Sequence, residues 1–161
     1  MPSEHPDDQQ SMNGFRPKPR PARPRIVILD DEKVLWDIME FWIQQWFKDY
    51  ELITLDNGDD AWKELERAEP DFYMMDWDHP GMHGREIFSR LIEKRVRFPV
   101  VVNSGHESIG AHVLSFSSLG LRIGFLPKPF NKAQIWRLLN DFIGPSDFPE
   151  MQARLTEPGW H

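Results

Sequence analysis

No cysteine occurs among the 161 residues. Disulfide bonds are therefore excluded, which is compatible with the reducing interior of a cell. Also missing is any apolar run of membrane-spanning length, and the N-terminus lacks the apolar core of a secretory signal. An excess of positive charge is absent as well. The formal net charge of −7 argues against general nucleic-acid binding by the domain as a whole. What is present, 40% hydrophobic and 28% charged residues, matches an ordinary soluble globular chain with length for one core and some to spare. The expectation from composition is a cytoplasmic protein without membrane association, and no activity follows from it.

Two segments stand apart from the rest. Residues 1–24 are polar and interrupted by prolines, ending in FRPKPRPARPR, a composition that favours extended, solvated chain. This basic tail is expected to be disordered; contact with an acidic partner or nucleic acid is the sharper alternative. Residues 144–161 read as a second, shorter tail, in which Trp160 could dock on the domain.

Between them, over residues 25–143, apolar runs of strand length alternate with helical periods. RIVILD, ELITLD, DFYMMD, FPVVVNS and RIGFLP read as strands. After the first comes EKVLWDIMEFWIQQWFKDY, where Leu35, Ile38, Met39, Trp42 and Trp46 can form one buried stripe. NGDDAWKELERAE follows an Asn-Gly turn, GREIFSRLIEKR carries Ile87, Leu91 and Ile92 on one side, and ESIGAHVLSFSSL is a weaker helix. NKAQIWRLLNDFI closes the series with Asn131 as its N-cap. Strands that are apolar throughout and separated by helices indicate a parallel sheet covered on both faces, in a single doubly wound α/β domain.

In such sheets ligands bind beyond the carboxyl ends of the strands. The first strand ends in Asp30-Asp31, the third in Asp76, the fourth in Ser104-Gly105 and the fifth in Lys128-Pro129. Three carboxylates brought together repel one another and raise at least one pKa unless a cation is present. A hard divalent ion resolves the conflict, Mg²⁺ being usual where phosphate is handled. The lysine and the serine hydroxyl can then meet phosphoryl oxygens. Such a set is suited to placing a phosphoryl group on a carboxylate.

Five motifs in order, ILDDE at 28–32, DNGDDAW at 56–62, MMDWDHPGMHG at 74–84, VVNSG at 101–105 and FLPKPF at 125–130, resemble the receiver domain of two-component response regulators, of the CheY-like superfamily. The resemblance implies a flavodoxin-like (βα)5 fold with strand order 2-1-3-4-5. It implies Asp76 as phosphoacceptor, Asp31 as direct Mg²⁺ ligand, Asp30 as an acid reaching the ion through water, and Asp78 as donor of a backbone carbonyl to it. Ser104 would bind the phosphoryl group, Lys128 would pair with it beside a cis Lys-Pro bond, and Phe125 would be the aromatic switch residue. Gly105 would leave phosphoryl access open. Asp78 and His106 take positions that tune the lifetime of the phosphorylated form. Where the family often has Met and Asp, His79 and His83 stand here, and neither takes part in the chemistry.

The implied function is that of a phosphorelay protein, not an enzyme beyond its own phosphotransfer and dephosphorylation. A sensor histidine kinase or histidine phosphotransfer protein would be the donor and a downstream effector protein the recipient. No output module fits in the tails, so direct DNA binding is not expected. The helix 4, strand 5 and helix 5 face, with Arg122 and Trp136, is the family's output and dimer surface, although no charge pattern compels a homodimer. Two other readings stand beside this one: a receiver-like interaction module that no longer uses phosphate, and a hydrolase with Asp76 as nucleophile and Asp78 as general acid. A transition-metal site from His79, His83 and His106 is a further alternative, disfavoured by the Pro-Gly turn between the first two. Trp36, Phe41, Trp42, Trp46 and Phe47 cannot all be buried on one helical face, so some are expected at a partner surface.

Overall fold

Apolar strands bounded by turn residues fold here as the alternation predicts. The computed structural model describes residues 23–144; residues 1–22 and 145–161, which make up most of both tails and include Trp160, lie outside them. The chain runs β1 (Arg25–Leu29), α1 (Lys33–Trp46), β2 (Glu51–Leu55), α2 (Gly58–Arg67), β3 (Phe72–Asp76), α3 (Gly84–Glu93), β4 (Val100–Ser104), α4 (Glu107–Leu114), a 3-10 turn (Ser115–Leu119), β5 (Ile123–Pro127) and α5 (Lys132–Ile143). All strand pairs are parallel and the sheet order is β2-β1-β3-β4-β5. No helix of the described residues is long and apolar enough to cross a membrane.

Side chains alternate across a parallel sheet, and two cores result. Ile26, Ile28, Phe72, Met74, Val101 and Leu126 face α1 and α5, meeting Met39, Ile43, Trp46, Ile135, Trp136 and Leu139. Val27, Leu29, Tyr73, Met75, Val100 and Val102 face the other way, against Ala61, Trp62, Leu65, Ile87, Phe88, Leu91 and Val113 from α2, α3 and α4. Continuing the same alternation, Asp30, Asp76, Asn103 and Lys128 belong to the α1/α5 face at the strand tips, and Ser104 to the opposite one.

Local chemistry sets the helix starts. Asn57 caps α2 by accepting from the Asp60 N–H, and Asn131 forms a reciprocal capping box with Gln134 at α5. His83 caps α3 through Nδ1, which accepts from the Arg85 N–H. The Pro80-Gly81 turn needs a positive φ at Gly81, which is 81°.

Three particulars differ from the sequence reading. The buried stripe of α1 is Met39, Ile43 and Trp46, whereas Ile38 faces solvent and Leu35 and Trp42 are only half-buried. The helix is apolar on more than one face, so periodicity alone does not select which stripe meets the sheet. The segment after β4 breaks at Leu114 into a 3-10 turn closed by Gly120 at φ 77°. Trp136 is 3% exposed and serves the core instead of the outer face, unlike the exposed Arg122.

At the opposite end of the sheet from the acidic tips, Arg25 is fully buried. Its Nη1 donates to the Ala68 carbonyl at 3.0 Å, and its guanidinium pairs with Glu64 on α2 and, at 3.7 Å, with Glu51. Removing one member of a buried ion pair strands the other charge and costs about 3–5 kcal/mol, while replacing both by apolar residues is often close to neutral. Accordingly, urea unfolding of Glu64→Ala should show a loss of about 3 kcal/mol, and Arg25→Met combined with Glu64→Leu a loss under about 1 kcal/mol; equal losses would contradict the pairing.

Candidate functional site

Backbone bonds extend the sheet one residue past its strands and so hold the tips together. The Asp30 N–H donates to Leu55 O at 3.0 Å, Trp77 N–H to Asn103 O at 2.9 Å, and Lys128 N–H to Ser104 O at 2.9 Å. The Lys128–Pro129 peptide is cis. From these anchors Lys128 Nζ reaches Asp76 Oδ2 at 3.1 Å, Glu32 Oε1 at 3.4 Å and Asp30 Oδ2 at 3.5 Å. Asp76 Oδ1 accepts from the Asp78 N–H at 3.2 Å, and Asp30 Oδ1 from the Glu32 N–H at 2.8 Å. The Trp36 indole donates to the Asp30 carbonyl at 2.7 Å and ties the first turns of α1 to the site.

Burial and charge then oppose each other. Asp30 and Asp76 are 3% and 6% exposed. Burial pushes both carboxyl pKa values up, against the pull of Lys128 and of their backbone hydrogen bonds, and the charges of Asp76 and Glu32 add to the rise at Asp30. Asp31 contributes its charge to the rise at Asp76. The Lys128 ammonium is lowered by burial, but Asp30, Asp76 and Glu32 together outweigh it and leave the pKa raised. A raised folded-state pKa means the folded chain binds the proton more tightly than the unfolded one. Each buried acid therefore lowers stability as pH rises through that value, while Lys128 keeps its contribution until pH rises past its own.

Carboxylate oxygens of Asp30, Glu32 and Asp76 lie within 4.8 Å of one another, the one such cluster among the described residues. A hard, oxygen-ligated dication fits this donor set, because it would neutralise acids that one lysine leaves under-compensated. Glu32 was not singled out by sequence reading, since it reads as a solvated helix-start acid; the lysine beside it comes from 96 residues away. The Asp31 side chain is exposed and outside this trio. Neither Asp30 nor Asp31 is the N-cap of α1, a position held by Glu32 without a side-chain bond.

The remaining expected residues gather at the same rim. Ser104 is buried, its Oγ accepting from the His106 N–H at 3.1 Å. His106 Nε2 lies 4.0 Å from Asp78 Oδ2, both side chains being mostly exposed. A Cβ on Gly105 would meet nothing within 4 Å, so the approach there is open. Phe125 is half-buried on β5 and its ring leans on α4 where Gly110 leaves room; a Cβ there would come within 2.7 Å of it. His79 and His83 do not join the acids: His79 Nδ1 is 3.0 Å from the Pro80 carbonyl and His83 caps α3. Asn103, 2% exposed and paired in register with Asp76, went unnoticed because an amide in an apolar strand carries no motif.

Comparison with known proteins agrees with this geometry. Residues 26–140 match the response regulator receiver domain family. The alkaline phosphatase synthesis transcriptional regulatory protein PhoP of Bacillus subtilis (strain 168) is 25% identical over 114 residues, covering 69% of this chain and 45% of that protein, so the chain spans less than half the length of this relative. Among solved structures, the receiver domain of sensor histidine kinase PA1611 from Pseudomonas aeruginosa PAO1, with magnesium coordinated in its active-site cleft, is 24% identical with a TM-score of 0.60, covering 77% of this chain and 100% of that one. Chemotaxis protein CheY4 of Vibrio cholerae is 21% identical with a TM-score of 0.62, covering 76% and 100%. Since the family match takes in nearly every element of the doubly wound sheet and all of its acidic tips, this chain belongs to the receiver domain family of two-component response regulators.

Proposed function

We propose that the chain is a phosphorylation-controlled receiver in which Asp76 accepts a phosphoryl group from a histidine kinase or histidine phosphotransfer protein and passes the signal to a partner protein. The observation that carries this is the contact of Lys128 Nζ with Asp76 at 3.1 Å inside the acidic cluster. A carboxylate oxygen of Asp76 forms the new P–O bond while the P–N bond of a phosphohistidine breaks, the imidazole leaving with the electron pair. Phosphoryl transfer needs positioning and charge neutralisation more than covalent help. Asp78 N–H holds one Asp76 oxygen, and Lys128 can follow the incoming phosphoryl oxygens from the other. Ser104, one residue beyond the strand partner of Asp76, supplies a hydroxyl to the same oxygens. Mg²⁺, held by Asp31 and Asp76, by Asp30 through water and by the Asp78 carbonyl, would neutralise charge on the phosphoryl group, with Glu32 close enough to assist.

Phosphorylation brings about 1.5–2 negative charges. Movement of Ser104 toward them would loosen the β4–α4 turn and free Phe125 to leave its place against Gly110, which makes α4 and β5 the output region. Asp78 and His106, facing each other across the mouth, are placed to tune hydrolysis of the acyl phosphate. On α1, Val34, Ile38 and Phe41 are 73%, 39% and 61% exposed and recur at helical spacing just after the acidic turn. This apolar stripe suits a donor or effector protein that must approach Asp76. The rival reading, a module that no longer uses phosphate, leaves without purpose a set of buried acids that lowers stability.

With a small acyl phosphate donor and Mg²⁺, intact mass should show a single added phosphoryl group on wild type and none on Asp76→Asn. Lys128→Ala should react about 10²-fold more slowly; an unmodified wild type would sink the proposal. Mg²⁺ near 100 times its dissociation constant should stabilise wild type by about 2.7 kcal/mol in thermal or urea unfolding, and Asp31→Asn should lose most of that shift. Finally, Phe41→Ser should leave the small-donor rate within about twofold, because solvent-facing substitutions rarely disturb the fold, yet slow transfer from a phosphorylated protein donor; equal slowing of both would contradict a docking role.

A further inference from the structure

On the α1/α5 face, the side chains next below the acidic tips are apolar, Ile28, Met74, Val101 and Leu126, and one amide is buried at their edge. Asn103 sits at the end of β4 with 2% exposure, between Asp76 on β3 and Leu126 on β5 in strand register. Its backbone is engaged, the carbonyl accepting from Trp77 N–H at 2.9 Å. Its side chain is not: neither Nδ2 nor Oδ1 has a hydrogen-bond partner among the described residues. Register pairs share a sheet face, so this amide lies beside the Asp76 side chain on the α1/α5 side. The neighbouring positions on that face, Val101 and Leu126, are apolar. A buried amide without partners is destabilising, and an apolar residue of the same shape would fit the resting site at least as well. Such an outlier at a reactive site points to a second state in which the group is paired.

We propose that Asn103 is a positioning residue for the phosphorylated state, its Nδ2 donating to the Asp76 carbonyl oxygen that remains once the other oxygen is bonded to phosphorus. This rests on Asp76 as phosphoacceptor. In the resting site Lys128 occupies Asp76 Oδ2 and Asp78 N–H occupies Oδ1. When Lys128 follows the phosphoryl oxygens, the acyl carbonyl loses the hydrogen bond from the lysine, and the adjacent amide replaces it after a side-chain rotation. Asn103 thereby stabilises the modified form without touching the resting one.

The test compares the wild-type 161-residue chain with Asn103→Leu, using beryllofluoride with Mg²⁺ as a phosphoryl mimic. Asn103→Leu should unfold at a higher urea concentration than wild type yet bind beryllofluoride about tenfold more weakly by calorimetry. In wild type, the Asn103 side-chain amide resonances, assigned by through-bond connectivity to its backbone, should shift on adding the mimic; this measurement stands even if the leucine variant does not fold. Equal affinity in the two proteins, or resonances that do not move, would overturn the inference while leaving the phosphoacceptor reading intact. Wild type that neither binds the mimic nor accepts phosphate would overturn both.

Discussion

The ammonium of Lys128, set among Asp76, Asp30 and Glu32 at 3.1 to 3.5 Å, is the interaction on which the site depends. It crosses from the last strand to the first and third, so it closes the rim of the sheet and also partly neutralises its acids. The compensation is incomplete. Both Asp30 and Asp76 remain with raised pKa values despite the lysine, because burial withdraws more stabilisation from the carboxylates than one shared cation returns. A site left in this condition favours whatever brings further positive charge to it.

Strand alternation converts that local deficit into a directional device. Asp30, Asp76, Asn103 and Lys128 occupy one side of the strand tips, and Ser104 the other. A group added at Asp76 would be met from both sides, by the lysine on one and the serine on the other. The two cores would then respond differently. On the α1/α5 side the change is electrostatic and close to the first helix; on the α4 side it reaches the turn that leads to Gly110 and the Phe125 ring packed against it. A parallel sheet with tips at one edge makes such coupling short.

Composition and hydropathy were good guides to the elements. Five apolar runs became five parallel strands within a residue or two of the expected bounds; β1, β3 and β4 are buried along their whole length, while β2 and β5, at the sheet edges, are only partly so. The first helix resisted the same reasoning. Ile43 is buried and Ile38 is not, because Trp36, Phe41, Trp42 and Trp46 make several helical faces apolar and only contact with the sheet selects among them. Trp136 likewise turned inward, its bulk filling space beside Leu139 that sequence spacing does not reveal.

The sequence by itself determined the order of elements, the parallel sheet and the identity of the acids, the serine and the lysine at strand ends, since each follows from short-range periodicity and from residues that terminate strands. Tertiary structure alone decided which of those charges meet. Glu32 joins the cluster because Lys128 is folded over it, and Asn103 is significant because β3 and β4 are in a register that seals its amide beside Asp76. Both are distance relations between residues far apart in the chain, set by how the strands pair and twist, and no local pattern encodes them.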